Sequence, residues 1–208
     1  AANIAYNLRI VGEDPIVLAT AGRDFGLYLE RMRECGLRTD GVLVLDDEMT
    51  AQAFITTDLD DNQITAFHPG AMVRAHEAKL SALPDVNDVH VGIVAPNGKQ
   101  AMIDNAAALK SAGVTCVVDP GQGLPLFDGD ELLGLLDGAS VYVVNDYEWA
   151  LTLDKTGCSD AQVAERVGAV VITRGGEGSE VRRCGRSDTG VALEADRTVV
   201  RAVKPDAV

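Results

Sequence analysis

The sequence predicts an α/β protein, a doubly wound and mostly parallel sheet preceded by a small antiparallel β ribbon. Three observations carry this. From residue 89 onward, short apolar runs alternate with segments of helical spacing. Those runs are rich in β-branched residues and apolar at successive positions, as in parallel strands covered by helices on each side. Between residues 41 and 70, strand-like segments instead follow one another across Asp-rich turns, and short polar turns join antiparallel neighbours.

The chain opens in a helical stretch, AANIAYNLRIVG. A second helix is predicted over residues 25–35, with Phe25, Leu29 and Met32 as its apolar stripe and Asp24 placed to cap it. The ribbon segments are VLVLDD, AQAFITTDL and QITAF, separated by Asp46-Asp47-Glu48 and by residues 58–62. A ribbon projecting near the ligand end of the sheet is a lid; one that only protects a sheet edge is the alternative. The strands that follow are residues 89–94, 115–119, 141–144 and 169–173. Helices between them are marked by Met102, Ala106 and Leu109 before a stop at Gly113, by residues 130–137, and by residues 147–153. Ser159 and Gln162 form a capping-box pattern opening one more helix, and residues 198–203 read as a last strand. The four strands should lie parallel with helices on both faces and right-handed crossovers, and ligands should bind beyond their carboxyl ends. The layout expected is residues 1–40 as the start of the α/β domain, 41–72 as the β lid, and 73–208 as its nucleotide-binding part.

Composition bounds the function. The chain has 208 residues, 47% hydrophobic, enough for a sizeable core. A net charge of −14 argues against a nucleic-acid partner, since phosphate backbones are held by clustered Lys and Arg. It leaves room for a triphosphate bound by backbone amides and magnesium. No apolar run approaches the roughly 20 residues that span a bilayer, so no membrane is expected. Cys35, Cys116, Cys158 and Cys184 are far apart and form no CxxC pair, which argues against zinc or a disulfide framework and fits a reducing cytoplasm. His68, His76 and His90 show no metal-ligand spacing.

Several motifs stand in one order. Ala1-Ala2-Asn3-Ile4-Ala5 is followed at fixed spacing by Gly12, Gly22 and Arg23-Asp24-Phe25-Gly26. Phe67-His68-Pro69-Gly70-Ala71 closes the ribbon. Asp119-Pro120-Gly121-Gln122, Asn145-Asp146-Tyr147-Glu148 and Thr173-Arg174-Gly175-Gly176-Glu177-Gly178 each follow a predicted strand. Together these resemble the first signature, lid return, mid-sheet turn, Asn-x-x-Glu motif and Thr-x-Gly-x-x-Gly nucleotide turn of the ribokinase-like (PfkB) carbohydrate and nucleoside kinases. The mid-sheet turn is most similar to that of bacterial adenosine-kinase-like members.

The resemblance implies a ribokinase-like fold and transfer of the γ-phosphate of ATP, with Mg2+, to a hydroxyl of an adenosine-like or ribose-like acceptor. It implies that Asn3 binds the acceptor and that Asn145, Thr173, Gly175 and Gly178 bind nucleotide phosphates, with Glu148 supporting the metal. It leaves open a homodimer formed through the lid. It also implies a fragment: the strand with the substrate-binding Asp and the Gly-Ala-Gly-Asp-type turn are not found, so the catalytic base is expected beyond Val208. Such a chain should bind ligands weakly, if at all, and not turn over.

Each residue also has a plainer reading. Asn145 and Glu148 lie one helical turn apart and can form an N-cap pair. The three glycines of residues 173–178 would serve an ordinary turn between strands. Asn3 can cap a helix, and Phe54 and Phe67 can stack on an acceptor or pack the lid. A non-catalytic ligand-binding or regulatory module with the same fold is the alternative function. A dinucleotide-dependent oxidoreductase is disfavoured, because no Gly-x-Gly-x-x-Gly follows an early strand.

Overall fold

The computed structural model describes residues 2–60, 62–83, 86–183 and 196–203, so Cys184 and both chain ends lie outside the described residues. The chain divides into two compact units, residues 1–87 and 88–208.

In the first unit, α1 (Ala2–Ile10) precedes β1 (Ala19–Gly22), and α2 (Gly26–Glu34) crosses over to β2 (Val42–Leu45). β2 pairs in parallel with β1, Ala19 opposite Val42 and Gly22 opposite Leu45. Ala5, Val17, Met32 and Leu37 form a small buried cluster, joined by Ala19, Phe25 and Val42, so the apolar stripe of α2 packs as its spacing dictates. The antiparallel ribbon consists of β3 (Gln52–Thr57) and β4 (Gln63–His68) alone, and the predicted first ribbon strand belongs to the parallel pair instead. Residues 42–45 could choose this partner because a short apolar run fits a parallel neighbour as well as a hairpin.

Every residue of the ribbon is exposed, so it is held at its base. The Gly22 amide donates to Thr50 Oγ1 (3.0 Å), and a Cβ on Gly22 would lie 2.3 Å from the Met49 carbonyl carbon. Asp24 does not cap α2, whose N-cap position is Phe25 with no side-chain cap bond. Its carboxylate instead accepts from the Thr50 amide and hydroxyl, both at 2.7 Å, and from Gln52 Nε2 at 3.2 Å. Three donors at the base of the ribbon outcompete one helix-end amide. The Thr50 hydroxyl chiefly, then its amide, holds the Asp24 carboxyl below the ordinary carboxylate range.

The second unit is built on a six-stranded sheet in the order β10-β9-β8-β7-β6-β5. β5 (Val91–Val94), β6 (Thr115–Val118), β7 (Val141–Asn145) and β8 (Ala169–Thr173) are parallel; β9 (Ser179–Arg183) and β10 (Asp196–Val200) continue the sheet antiparallel. Between the parallel strands come α3 (Lys99–Ser111), α4 (Gly129–Asp137), α5 (Asp146–Thr156) and α6 (Asp160–Arg166). Asp128 and Ser159 open α4 and α6 with capping boxes, closed by Glu131 and Gln162.

The expectation of helices on both faces is met on one face among the described residues of this unit. Along β7 and β8, Tyr142, Val144, Val170 and Ile172 are buried while Val141, Val143 and Val171 are half-buried. The strand order advances in one direction, and right-handed crossovers made in one direction stack their helices on a single side. Beneath them lies the core, including Met102, Leu132, Leu135 and Leu136, each worth about 1.5–3 kcal/mol when fully buried. No helix among the described residues is long and apolar enough to cross a membrane. Cys35, Cys116 and Cys158 are free thiols.

Candidate active site

The carboxyl ends of β6, β7 and β8 bring the candidate residues of the second unit together. Asn145 ends β7 and is the N-cap of α5. Its side chain accepts from the Glu148 amide (2.7 Å), and Glu148 Oε2 accepts from the Asn145 amide (2.9 Å). The capping reading of this pair is therefore realised, and both side chains are held at the sheet edge by it. A buried relay fixes the same helical turn. Thr152 Oγ1 donates to the Glu148 carbonyl (2.8 Å), so the Tyr142 hydroxyl, 2.8 Å away, donates to Thr152. Burial, first, and the nearby carboxylates raise the Tyr142 phenol far above its ordinary range, keeping it a neutral donor.

Thr173 stands directly opposite Asn145 in the parallel ladder, and its hydroxyl faces the Val144 carbonyl at 3.4 Å. Beyond it the chain closes a tight turn: the Arg174 amide donates to the Gly178 carbonyl (2.8 Å), that of Glu177 to Arg174 (3.0 Å), and that of Gly178 to Gly175 (3.0 Å). The amides of Gly175 and Gly176 have no acceptor among the described residues. Gly175 has φ +54° with open space around it, which leaves its amide approachable. Gly178 differs: its φ is +97°, and a Cβ there would lie 2.0 Å from the Val200 carbonyl oxygen. It serves close packing against the end of β10.

Asp119, just after β6, is a further candidate that the sequence did not single out, although its Asp-Pro-Gly-Gln turn was the available signal. Burial first, and the charge of Glu148 second, push its carboxyl above the usual range, while the Gly121 amide pulls it down. Asp119 and Glu148 thus form a mutually repelling acidic pair where the strands end. Hard oxygen donors of this kind suit Mg2+ rather than zinc or copper. Among the described residues no group of three or more His, Cys, Asp or Glu side chains could hold a metal, so water and phosphate oxygens would complete any coordination.

The remaining candidates lie in the first unit. Asn3 is exposed in the first turn of α1 and lies inside the helix, so it does not cap it; its carbonyl accepts from Asn7 Nδ2 (2.8 Å). Phe54 and Phe67 are both exposed, but the register pairs Phe54 with Ala66 and Phe67 with Ala53. Paired residues share a face and neighbours alternate, so the two rings stand on opposite faces of the ribbon. They cannot close together on one ligand.

Comparison with known proteins follows the same lines. Residues 1–200 match the model of the pfkB family of carbohydrate kinases. A nucleoside kinase of Methanocaldococcus jannaschii is 28% identical over 186 residues, 87% of this chain and 59% of that protein. That of Methanothermobacter thermautotrophicus is 28% identical over 184 residues, with 86% and 59% covered. The chain therefore spans 59% of the length of these curated relatives. The solved structure of Burkholderia thailandensis nucleoside kinase in complex with inosine has a TM-score of 0.89 at 44% identity, covering 100% of this chain and 66% of that one. Turn, cap and sheet order agree with the match along almost the whole sequence: the chain belongs to the pfkB family of carbohydrate kinases.

Proposed function

We propose that the protein to which this chain belongs is a nucleoside kinase, transferring the γ-phosphate of ATP to a nucleoside hydroxyl with Mg2+. The observation that carries this reading is the Thr173–Gly178 turn, where the Gly175 and Gly176 amides have no acceptor among the described residues and Thr173 pairs with Asn145 at the carboxyl edge of a parallel sheet. Oriented amides of this kind hold phosphate oxygens without a cationic side chain, which suits a chain of net charge −14. Thr173 adds a hydroxyl next to them. Asp119 and Glu148 would hold the water shell of the magnesium, which when bound neutralises charge developing on the transferring phosphoryl group. Positioning and electrostatics supply nearly all of the catalysis in this chemistry.

The nucleoside is favoured over a simple sugar because the relatives named above are nucleoside kinases, one of them solved with inosine. The family motif supports Asn3 as an acceptor ligand. Only one of Phe54 and Phe67 meets the acceptor; the other face of the ribbon is left for a second copy in a homodimer formed through the lid. The chain spans 59% of the length of the curated relatives, and the 208 residues alone should give no turnover.

The test is a coupled ADP-release assay on the protein extended to the length of its relatives, over a panel of nucleosides and sugars with and without Mg2+. Metal-dependent ADP release with at least one nucleoside is expected. In that protein Glu148→Gln should lower metal-dependent turnover more than acceptor binding. Inactivity on every acceptor would instead favour a ligand-binding module.

A further inference from the structure

Glu180 is fully buried, 1% exposed, and has no part in the chemistry described above. Its carboxylate is gripped by three guanidinium groups. Oε1 lies 2.6 Å from Arg182 Nε and 2.7 Å from Arg197 Nε; Oε2 lies 2.8 Å from Arg174 Nη2 and 2.7 Å from Arg197 Nη2. Arg182 also pairs with Asp160 at the start of α6 and lies over the Trp149 ring, 5.4 Å from its centroid. The register sets Glu180 between Ile172 on β8 and Val199 on β10, a position where an apolar side chain would pack as well. A buried ion cluster is generally no more stabilising than apolar residues of similar volume, so stability alone does not account for it. What the cluster adds is geometry.

Arg174 is the first residue after β8, and its backbone is tied into the turn on both sides, by its amide to Gly178 and its carbonyl from Glu177. Its side chain is anchored to Glu180. Through Arg182 the same carboxylate reaches Trp149, one residue beyond Glu148 on α5. Both halves of the candidate phosphate site, the turn and the α5 N-terminus, are thus referenced to one buried group. We propose that Glu180 is a positioning residue: by holding Arg174 it fixes the Thr173–Gly178 turn so that the Gly175 and Gly176 amides face a nucleotide phosphate. This rests on the nucleotide reading of the turn given above.

The experiment compares Arg174→Ala, Arg174→Lys, Arg197→Ala and Glu180→Gln in this chain. Arg174 and Arg197 are 37% and 58% exposed, so their variants should fold even where Glu180→Gln does not. Two readouts are taken: MgADP affinity by NMR titration, and amide exchange at residues 174, 177 and 178. We expect Arg174→Ala to weaken MgADP about 5–20-fold, as for one lost charge-assisted contact, and to speed exchange at those amides roughly tenfold. Arg174→Lys should recover part of both. Arg197→Ala, which removes a Glu180 partner outside the turn, should change affinity and turn exchange less than about twofold whatever it does to the melting temperature. Unchanged turn exchange in Arg174→Ala, or an Arg197→Ala effect as large as that of Arg174→Ala, overturns the proposal. A wild-type chain that binds no MgADP defeats the nucleotide reading, and the exchange comparison then decides the positioning role by itself.

Discussion

Asn145 joins β7 to α5 through a reciprocal cap, and removing that cap has a predictable size. Asn145→Ala deletes the acceptor of the Glu148 amide (2.7 Å) and leaves Glu148 Oε2 with only the backbone half of the box. Losing an N-cap typically costs about 1 kcal/mol, with a range of about 0.5–2. The amide orphaned here is half-buried, so the upper part of that range applies, about 1–1.5 kcal/mol. In a chain of this size that corresponds to a fall in Tm of roughly 2–6 °C. Asn145→Asp keeps a capping acceptor and should stay within about 0.5 kcal/mol of wild type at acid pH. As the pH rises it places a third negative charge beside Asp119 and Glu148, and stability should drop as that group ionises. Urea unfolding followed by tryptophan fluorescence is well suited, because the single tryptophan, Trp149, is buried on α5 itself. A loss below about 0.3 kcal/mol in Asn145→Ala, or equal losses for Ala and Asp at acid pH, would refute the capping argument.

Three other outcomes follow from the same geometry. Gly178→Ala should destabilise by about 3 kcal/mol or more in urea unfolding, from positive φ and collision with Val200, while Gly176→Ala, with open space around it, should stay within about 1 kcal/mol. For Glu180, burial raises the carboxyl but Arg182 and Arg197 more than offset it, so its pKa is lowered on folding. Its stabilisation is then present above the unfolded carboxylate range of about 4.3 and lost as pH falls through the lowered folded value, so the stability gap between wild type and Glu180→Gln should narrow in acid. Cys116, fully buried and with its thiol pushed up to about 11 by that burial, should resist iodoacetamide at pH near 8, about 100-fold or more slower than Cys35 and Cys158 by mass mapping.

Local signals in the sequence placed α5, α6, the four parallel strands and the turn after β8, because each depends on apolar period, capping residues and glycine within a few positions. Three features depended on distant partners instead. β1, the stretch Ala-Thr-Ala-Gly, has no strong strand pattern of its own and is a strand because Val42–Leu45 pairs with it. The opposite facing of Phe54 and Phe67 follows from the register across residues 58–62, which the alternation within either strand does not reveal. Asp24 sits where a cap is expected, and only the approach of Thr50 and Gln52 draws its carboxylate away. In the site, Asn145, Glu148, Thr173 and the glycines could be named from motif spacing. Asp119 could not be weighted correctly, since its raised proton affinity comes from burial and from Glu148, 29 positions away. Glu180 was hidden for the same reason: a carboxylate followed closely by Arg182 and Arg183 reads as a solvated strand, and only the fold buries it.

The account turns on the phosphate-binding role of the Thr173–Gly178 turn, and the most direct measurement is an 15N–1H NMR titration of this chain with MgADP. Weak binding is sufficient for the readout. The account predicts that the largest amide shifts fall at Gly175 and Gly176, with smaller ones at Asn145 and Gly121, and that omitting Mg2+ reduces those at Asn145. Saturable shifts confined to other parts of the sheet, with Gly175 and Gly176 unmoved, would contradict it.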